Sequence, residues 1–126
     1  MRHLPAWTAR RRELAAFYRR ELEGTGVALP VEQDQVEPVH HLFVVRHPHR
    51  DALMAALRER GIGTLIHYPI PLHLQPAFAS RGGAPAALPV VEKAAAEILS
   101  LPLYPELTAG QAEAVVAAVR DAVQHV

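Results

Sequence analysis

The 126-residue chain contains no cysteine. That excludes disulfides, thiolate nucleophiles and cysteine-ligated zinc, and it leaves the redox compartment undetermined. Lysine is nearly absent as well: Lys93 is the only one, and the other basic residues are arginine. With alanine abundant, this skew points to a GC-rich coding sequence rather than to chemistry. Neither sign of charge is in excess, with 13 basic and 13 acidic residues. No global field therefore recruits nucleic acid or an anionic membrane. No apolar run approaches the roughly 20 residues of a membrane span. The N-terminus, MRHLPAWTARRREL, lacks the apolar core of a signal peptide. A soluble, cytoplasmic protein is the expectation.

Half of the residues are hydrophobic, and a single domain of this length buries roughly two-thirds of its unfolded surface. Leu4, Trp7, Leu14, Phe17, Tyr18 and Leu22 recur at helical spacing, with Arg10 to Arg12 on the expected wet side. This helix should stop near Gly24 and Gly26, which tolerate left-handed backbone. The polar PVEQDQVEP reads as a surface connection. The apolar run HLFVVR, 41–46, reads as a buried strand. Pro48 is expected to open a helix with Leu53, Met54 and Leu57 inward and Gly61 as its stop. TLIH, 64–67, is a second strand candidate.

A third helix is expected from Pro89 to about Ser100, ended by Pro102. LPLYP, 101–105, is extended and suits a sheet edge, because its prolines cannot donate to a ladder. Thr108 and Gln111 match a capping box. The helix they open should bury Ala112, Val115, Val116, Val119 and Val123. The Gly/Ala-rich SRGGAPAA, 80–87, reads as a mobile loop. Strand, helix and strand with short joints suggest helices packed on a small sheet.

Eight histidines raise the question of a metal. His40 and His41 are adjacent and would point to opposite faces of a strand. His47 and His49 flank Pro48, and His67 and His73 are separated by prolines. None matches a helix-borne zinc pair with a nearby carboxylate. Ser80 and Ser100 have no nucleophile-elbow context and read as a loop serine and a helix C-terminal serine. RGGAPA has glycines but no following Lys-Ser/Thr, so it is not a phosphate cradle. Lys93, in VVEKAAAE, reads as a solvated helix lysine partnered by Glu97, not as a Schiff-base residue.

The stretch GIGTLIHYPIPLHLQPAF, 61–78, concentrates His67, Tyr68 and His73 among Pro69, Pro71 and Pro76. Prolines lower the entropy that a loop loses on ordering. Two readings stand side by side. A rigid loop bearing an imidazole and a phenol could hold a phosphate or a sugar hydroxyl. Equally, His67 and Tyr68 could serve a structural turn by bonding the local backbone.

This stretch, together with HLFVVRHPHRDALMAALRERG before it and LPVVEKAAAEILSLPLYPELTAGQAEAVVAAV after it, resembles the C-terminal segment of the DegT/DnrJ/EryC1/StrS family. LPAWTARRRELAAFYRREL is similar to the helix that leads into that family's small domain. The family consists of pyridoxal-phosphate-dependent aminotransferases of nucleotide-linked sugars, homodimeric at full length. The resemblance implies an α/β, two-layer fold: a small mixed, mostly antiparallel sheet with helices packed on one side. Residues 1–26 would form the inter-domain helix and 39–126 the α/β core of a C-terminal small domain.

The large domain that carries the cofactor, the Schiff-base lysine and the phosphate-binding groups has no counterpart motif in this sequence. The chain is therefore expected to be a fragment or a split part, unable to bind pyridoxal phosphate alone and without catalytic residues of its own. The resemblance implies that His67 and Tyr68 approach the nucleotide-sugar substrate, with His73 and Gln75 in the same loop as weaker candidates. LSLPLYPELT is expected to pack and turn, with Tyr104 buried or half-buried. His41 is expected to be a satisfied strand histidine or a support behind the site. Apolar surface at Leu4 and Trp7 is expected to be covered by the large domain or a second subunit. A stand-alone binding module that keeps the fold without the reaction is the alternative.

Overall fold

The computed structural model describes residues 2–79 and 87–126. The expected mobile loop at 80–87 lies, except for Ala87, outside the described residues. Helix α1 spans Leu4–Leu22, with Pro5 in its first turn, where a missing N–H is tolerated. Its buried side is Leu14, Ala15, Tyr18 and Leu22. Leu4 and Trp7, at its start, remain exposed. The chain turns at Gly24, bridges to the sheet at Ala28, and reaches strand β1, Phe43–Arg46. Helix α2 follows at Arg50–Glu59.

Beyond α2 the prolines shape a single 3-10 turn, Leu72–Leu74, and one helical turn, α3, Pro76–Ala79. Helix α4, Pro89–Glu97, passes directly into strand β2, Ile98–Leu101. Helix α5, Ala109–Val123, closes the fold.

The sheet is antiparallel, pairing Phe43 with Leu101 and Arg46 with Ile98. Single bridges extend it on both sides, Ala28 to Arg46 and Leu65 to Ser100. Successive strand residues face opposite ways. Phe43, Val45, Leu99 and Leu101 thus share the face that meets the helices, and Val44 and Ser100 share the other. Helix α5 contacts both α1 and α2 on the helical side. Tyr18, Leu22, Phe43, Val45, Leu53, Leu57, Leu99 and Val119 are the largest side chains lost from water there. Each such apolar side chain contributes about 1.5–3 kcal/mol relative to an exposed one. The expected α/β architecture of helices on a small sheet is therefore present, and every pairing among the described residues is antiparallel.

Several expectations need correcting. Residues 98–100 are strand rather than the end of a helix. The residue before a proline disfavours helical backbone, and Ile98–Leu101 instead satisfies its backbone groups against β1. The 64–67 strand shrinks to the one bridge at Leu65, with hydrogen bonds Ser100 N to Leu65 O at 2.8 Å and Leu65 N to Ser100 O at 3.3 Å. Pro48 sits two residues before α2, whose N-cap is His49.

Arg10, Arg11 and Arg12 are not a solvent face. Arg10 donates to the Leu107 carbonyl (3.0 Å), Arg11 to that of Leu103 (2.9 Å) and Arg12 to that of Pro38 (3.0 Å), so α1 staples two loops, the one before β1 and the one between β2 and α5. Arg50, also unforeseen, is buried and donates to the Ala95 and Ile98 carbonyls where α4 becomes β2.

Other local signals hold. Gly61 has φ +76°, and the N–H groups of Gly61 and Ile62 return to the Arg58 and Leu57 carbonyls, a Schellman ending for α2. Thr108 Oγ accepts from Gln111 N, and the Gln111 amide oxygen accepts from Thr108 N, forming the capping box. Of the predicted inward positions, Val123 and Met54 are only half-buried, at the rim of the core.

Candidate functional site

The bridge at Leu65 hangs the segment that follows on the free edge of β2. Two residues later His67 Nδ1 lies 2.9 Å from Ser100 Oγ. The peptide bond between His67 and Tyr68 is cis. Their rings meet edge to face, centroids 5.7 Å apart at 79°. His67 is half-buried, while Tyr68 is 74 % exposed. Among the described residues Nδ1 is the hydrogen-bonded nitrogen of the His67 ring, which leaves Nε2 for another partner. A half-anchored imidazole beside a solvent-facing phenol can bind polar oxygens on a ligand.

His73 and Gln75 lie on the next turn but are anchored differently. His73 Nε2 is 3.2 Å from Glu92 Oε1 on α4. The same carboxylate accepts from Leu88 N at 2.9 Å. That backbone bond first, and His73 second, hold the Glu92 carboxyl below its ordinary range. His73 thus clasps the proline-rich loop to α4. Gln75 uses its backbone in local turns, donating to Leu72 O and accepting from Phe78 N. Its amide makes no hydrogen bond among the described residues. The sequence-predicted quartet therefore divides into His67 with Tyr68, braced on β2, and His73 with Gln75, braced on α4 and on its own turn.

Ser100 is the residue that the sequence reading missed. The run ILSL carries one polar side chain among apolar ones, a signal that becomes visible once the segment is read as a strand. The Ser100–His67 pair does not have the form of a nucleophile and base. Ser100 is 5 % exposed, and no carboxylate orients the imidazole among the described residues.

His41 lies outside β1 and is exposed, so it is neither a satisfied strand histidine nor a support for His67. It lines a cavity of about 590 Å³ together with Leu4, Trp7, Val39 and Tyr104. Tyr104 is 41 % exposed there, more open than expected. His40 sits at φ +50°, off the strand, with Nε2 3.1 Å from Glu32. No group of three potential metal-ligating side chains occurs among the described residues. Among the described residues no helix is long and apolar enough to cross a membrane.

Lys93 does not suit a Schiff base with pyridoxal phosphate. Lys93 has its side chain 72 % exposed on α4, with Nζ 3.9 Å from Glu97. A Schiff-base lysine is activated by an apolar pocket or a neighbouring cation, and Lys93 has water and a carboxylate instead.

Comparison with known proteins identifies the arrangement. The profile of the DegT/DnrJ/EryC1/StrS aminotransferase family matches residues 1–120. The chain belongs to this family. It is 48 % identical over 126 residues to a pleiotropic regulatory protein of Geobacillus stearothermophilus, covering 98 % of this chain and 34 % of that protein. It is 46 % identical over 125 residues to dTDP-3-amino-3,4,6-trideoxy-alpha-D-glucose transaminase of Streptomyces venezuelae, covering 98 % of this chain and 33 % of the enzyme.

The crystal structure of S. venezuelae DesV in complex with a ketimine intermediate superimposes with a TM-score of 0.93 at 46 % identity, over 98 % of this chain and 34 % of that one. The aminotransferase TlmJ of Streptoalloteichus hindustanus gives a TM-score of 0.88 at 34 % identity, over 98 % and 33 %. The chain thus spans about a third of the length of the relatives it matches.

Proposed function

We propose that this DegT/DnrJ/EryC1/StrS segment is the C-terminal small domain of a pyridoxal-phosphate-dependent aminotransferase acting on nucleotide-linked keto-sugars in amino-sugar biosynthesis. Its part is to supply substrate contacts and dimer surface in a cytoplasmic enzyme. A pyridoxal-phosphate-binding large domain, in the same polypeptide or a separate one, provides the cofactor. The observation that supports the substrate contact is the placement of His67 and Tyr68. One is held through a single ring nitrogen and the other is open to solvent, side by side at the edge of β2. Imidazole N–H and phenol O–H groups suit diphosphate and sugar oxygens, and a pocket lined by few such groups fixes ligand orientation.

On this reading the chain's own residues bind and orient, and the large domain supplies the base for proton transfer at the reacting carbon. By itself the chain is therefore inactive. Two measurements test this. The first maps amide chemical-shift changes on titration with dTDP-glucose or UDP-N-acetylglucosamine. Changes should centre on 65–68 and vanish in His67→Ala; changes elsewhere, or unaltered by that substitution, overturn the substrate contact. The second adds pyridoxal phosphate. No stable visible absorbance band should form on the chain alone, whereas mixing with the large domain of a relative should yield a coloured, active enzyme. A band formed by the chain alone and lost in Lys93→Arg overturns the assignment of the cofactor to the large domain. Nucleotide-sugar binding without activity in any such mixture would favour the stand-alone binding module.

A further inference from the structure

We propose that Ser100 is the positioning residue of the candidate site, fixing the tautomer of the His67 imidazole so that its Nε2–H is offered outward to the ligand. The inference rests on the reading of His67 as a nucleotide-sugar contact and adds what orients it.

The argument begins with burial. Ser100 is the one polar side chain of β2 and is 5 % exposed. A buried hydroxyl is costly unless it is hydrogen-bonded. Among the described residues its partner is His67 Nδ1, at 2.9 Å. Strand alternation places the Ser100 side chain with Val44, on the face away from the helical core, beside the 65–67 segment bridged to the edge of β2. The same residue fixes that segment's path through both backbone bonds to Leu65, so the hydroxyl meets the imidazole at a set height and angle. The edge of Tyr68 against the ring further restricts its rotation.

The proton inventory then selects a tautomer. A serine hydroxyl has one hydrogen to donate, and a neutral imidazole has one donor nitrogen and one acceptor nitrogen. If Nδ1 carried the proton, Ser100 would accept it, and its own O–H hydrogen would be buried with no acceptor among the described residues. If Ser100 donates to Nδ1, the buried hydroxyl is satisfied and the imidazole proton resides on Nε2. The second arrangement leaves no buried donor unpaired. It also presents an N–H to the ligand side, the polarity that a diphosphate or sugar oxygen accepts.

The test reads the tautomer directly. Long-range ¹H–¹⁵N spectra of the imidazoles at pH 8 should show His67 in the Nε2–H form in the native chain. Ser100→Ala should give a mixture of tautomers and weaken dTDP-glucose binding about fivefold, the worth of one ordinary hydrogen bond. Ser100→Thr, which keeps the hydroxyl on a β-branched side chain suited to a strand, should restore both. Protection of the Leu65 amide from hydrogen exchange reports that the bridge survives in each variant. An unchanged His67 tautomer in Ser100→Ala with that amide protected overturns the proposal. So does a native chain in the Nδ1–H form. If His67→Ala leaves binding unaltered, the substrate reading fails, and the tautomer spectra still decide whether Ser100 positions the ring.

Discussion

Replacing Tyr18 by phenylalanine removes one oxygen atom from the centre of the fold. Tyr18 is fully buried, its ring lies 5.3 Å from that of Phe43, and its hydroxyl donates to the Pro102 carbonyl at 2.9 Å. The substitution preserves the ring packing but leaves the Pro102 carbonyl without that donor. A lost hydrogen bond with one partner left desolvated costs about 1–2 kcal/mol. For a chain of this size that corresponds to a fall in Tm of roughly 3–8 °C.

The structure adds a pH signature. Burial, and secondarily the neighbouring Tyr104 phenol, push the Tyr18 phenol well above its ordinary value. A group whose folded pKa is raised contributes stability that is complete below the unfolded pKa, about 10 for a phenol. As pH rises past that value the unfolded chain ionises while the folded one stays protonated, so stability falls by about 1.4 kcal/mol per pH unit. Phenylalanine cannot do this. The native advantage over Tyr18→Phe should therefore be about 1–2 kcal/mol at pH 7 and close to zero near pH 11. Urea denaturation of both proteins at pH 7, 9, 10 and 11 measures the gap. A gap that stays constant across this range would refute the account of Tyr18 as a buried, raised-pKa donor.

Further substitutions probe two backbone features, a left-handed glycine and a helix cap. At Gly26, with φ +105°, an added Cβ would lie 2.9 Å from Val123 Cγ1. Gly26→Ala should destabilise by about 1–3 kcal/mol, and by more than Gly24→Ala, where φ is +72° but nothing lies within 4 Å; paired thermal melts compare them. Thr108→Ala breaks the capping box of α5 and should cost about 1 kcal/mol, read by urea denaturation, with Thr108→Ser recovering most of it.

The candidate site was partly visible before the fold was known. HYP among prolines marked a rigid polar loop, and the family resemblance set His67 and Tyr68 ahead of His73 and Gln75. The structure separates those pairs, because Ser100 and Glu92 lie 33 and 19 residues away from their histidines in sequence. Ser100 was hidden by a boundary error. Read as the last residue of a helix, it had no face to share with His67. Read as the third residue of a strand, it does.

Sequence alone determined the local punctuation of this protein: the helix stop at Gly61, the capping box at Thr108 and Gln111, and the apolar stripe of α5. These depend on interactions within a few residues, so their chemistry is written in adjacent letters. Tertiary structure decided what the long polar side chains do. Arg10, Arg11 and Arg12 read as a solvated face, yet they, like the buried Arg50, bind carbonyls of distant segments, from Pro38 to Leu107. It also decided the neighbour of His67. A backbone bridge between Leu65 and Ser100 is a pairing between distant segments, and no local pattern specifies which strand edge an irregular loop will meet.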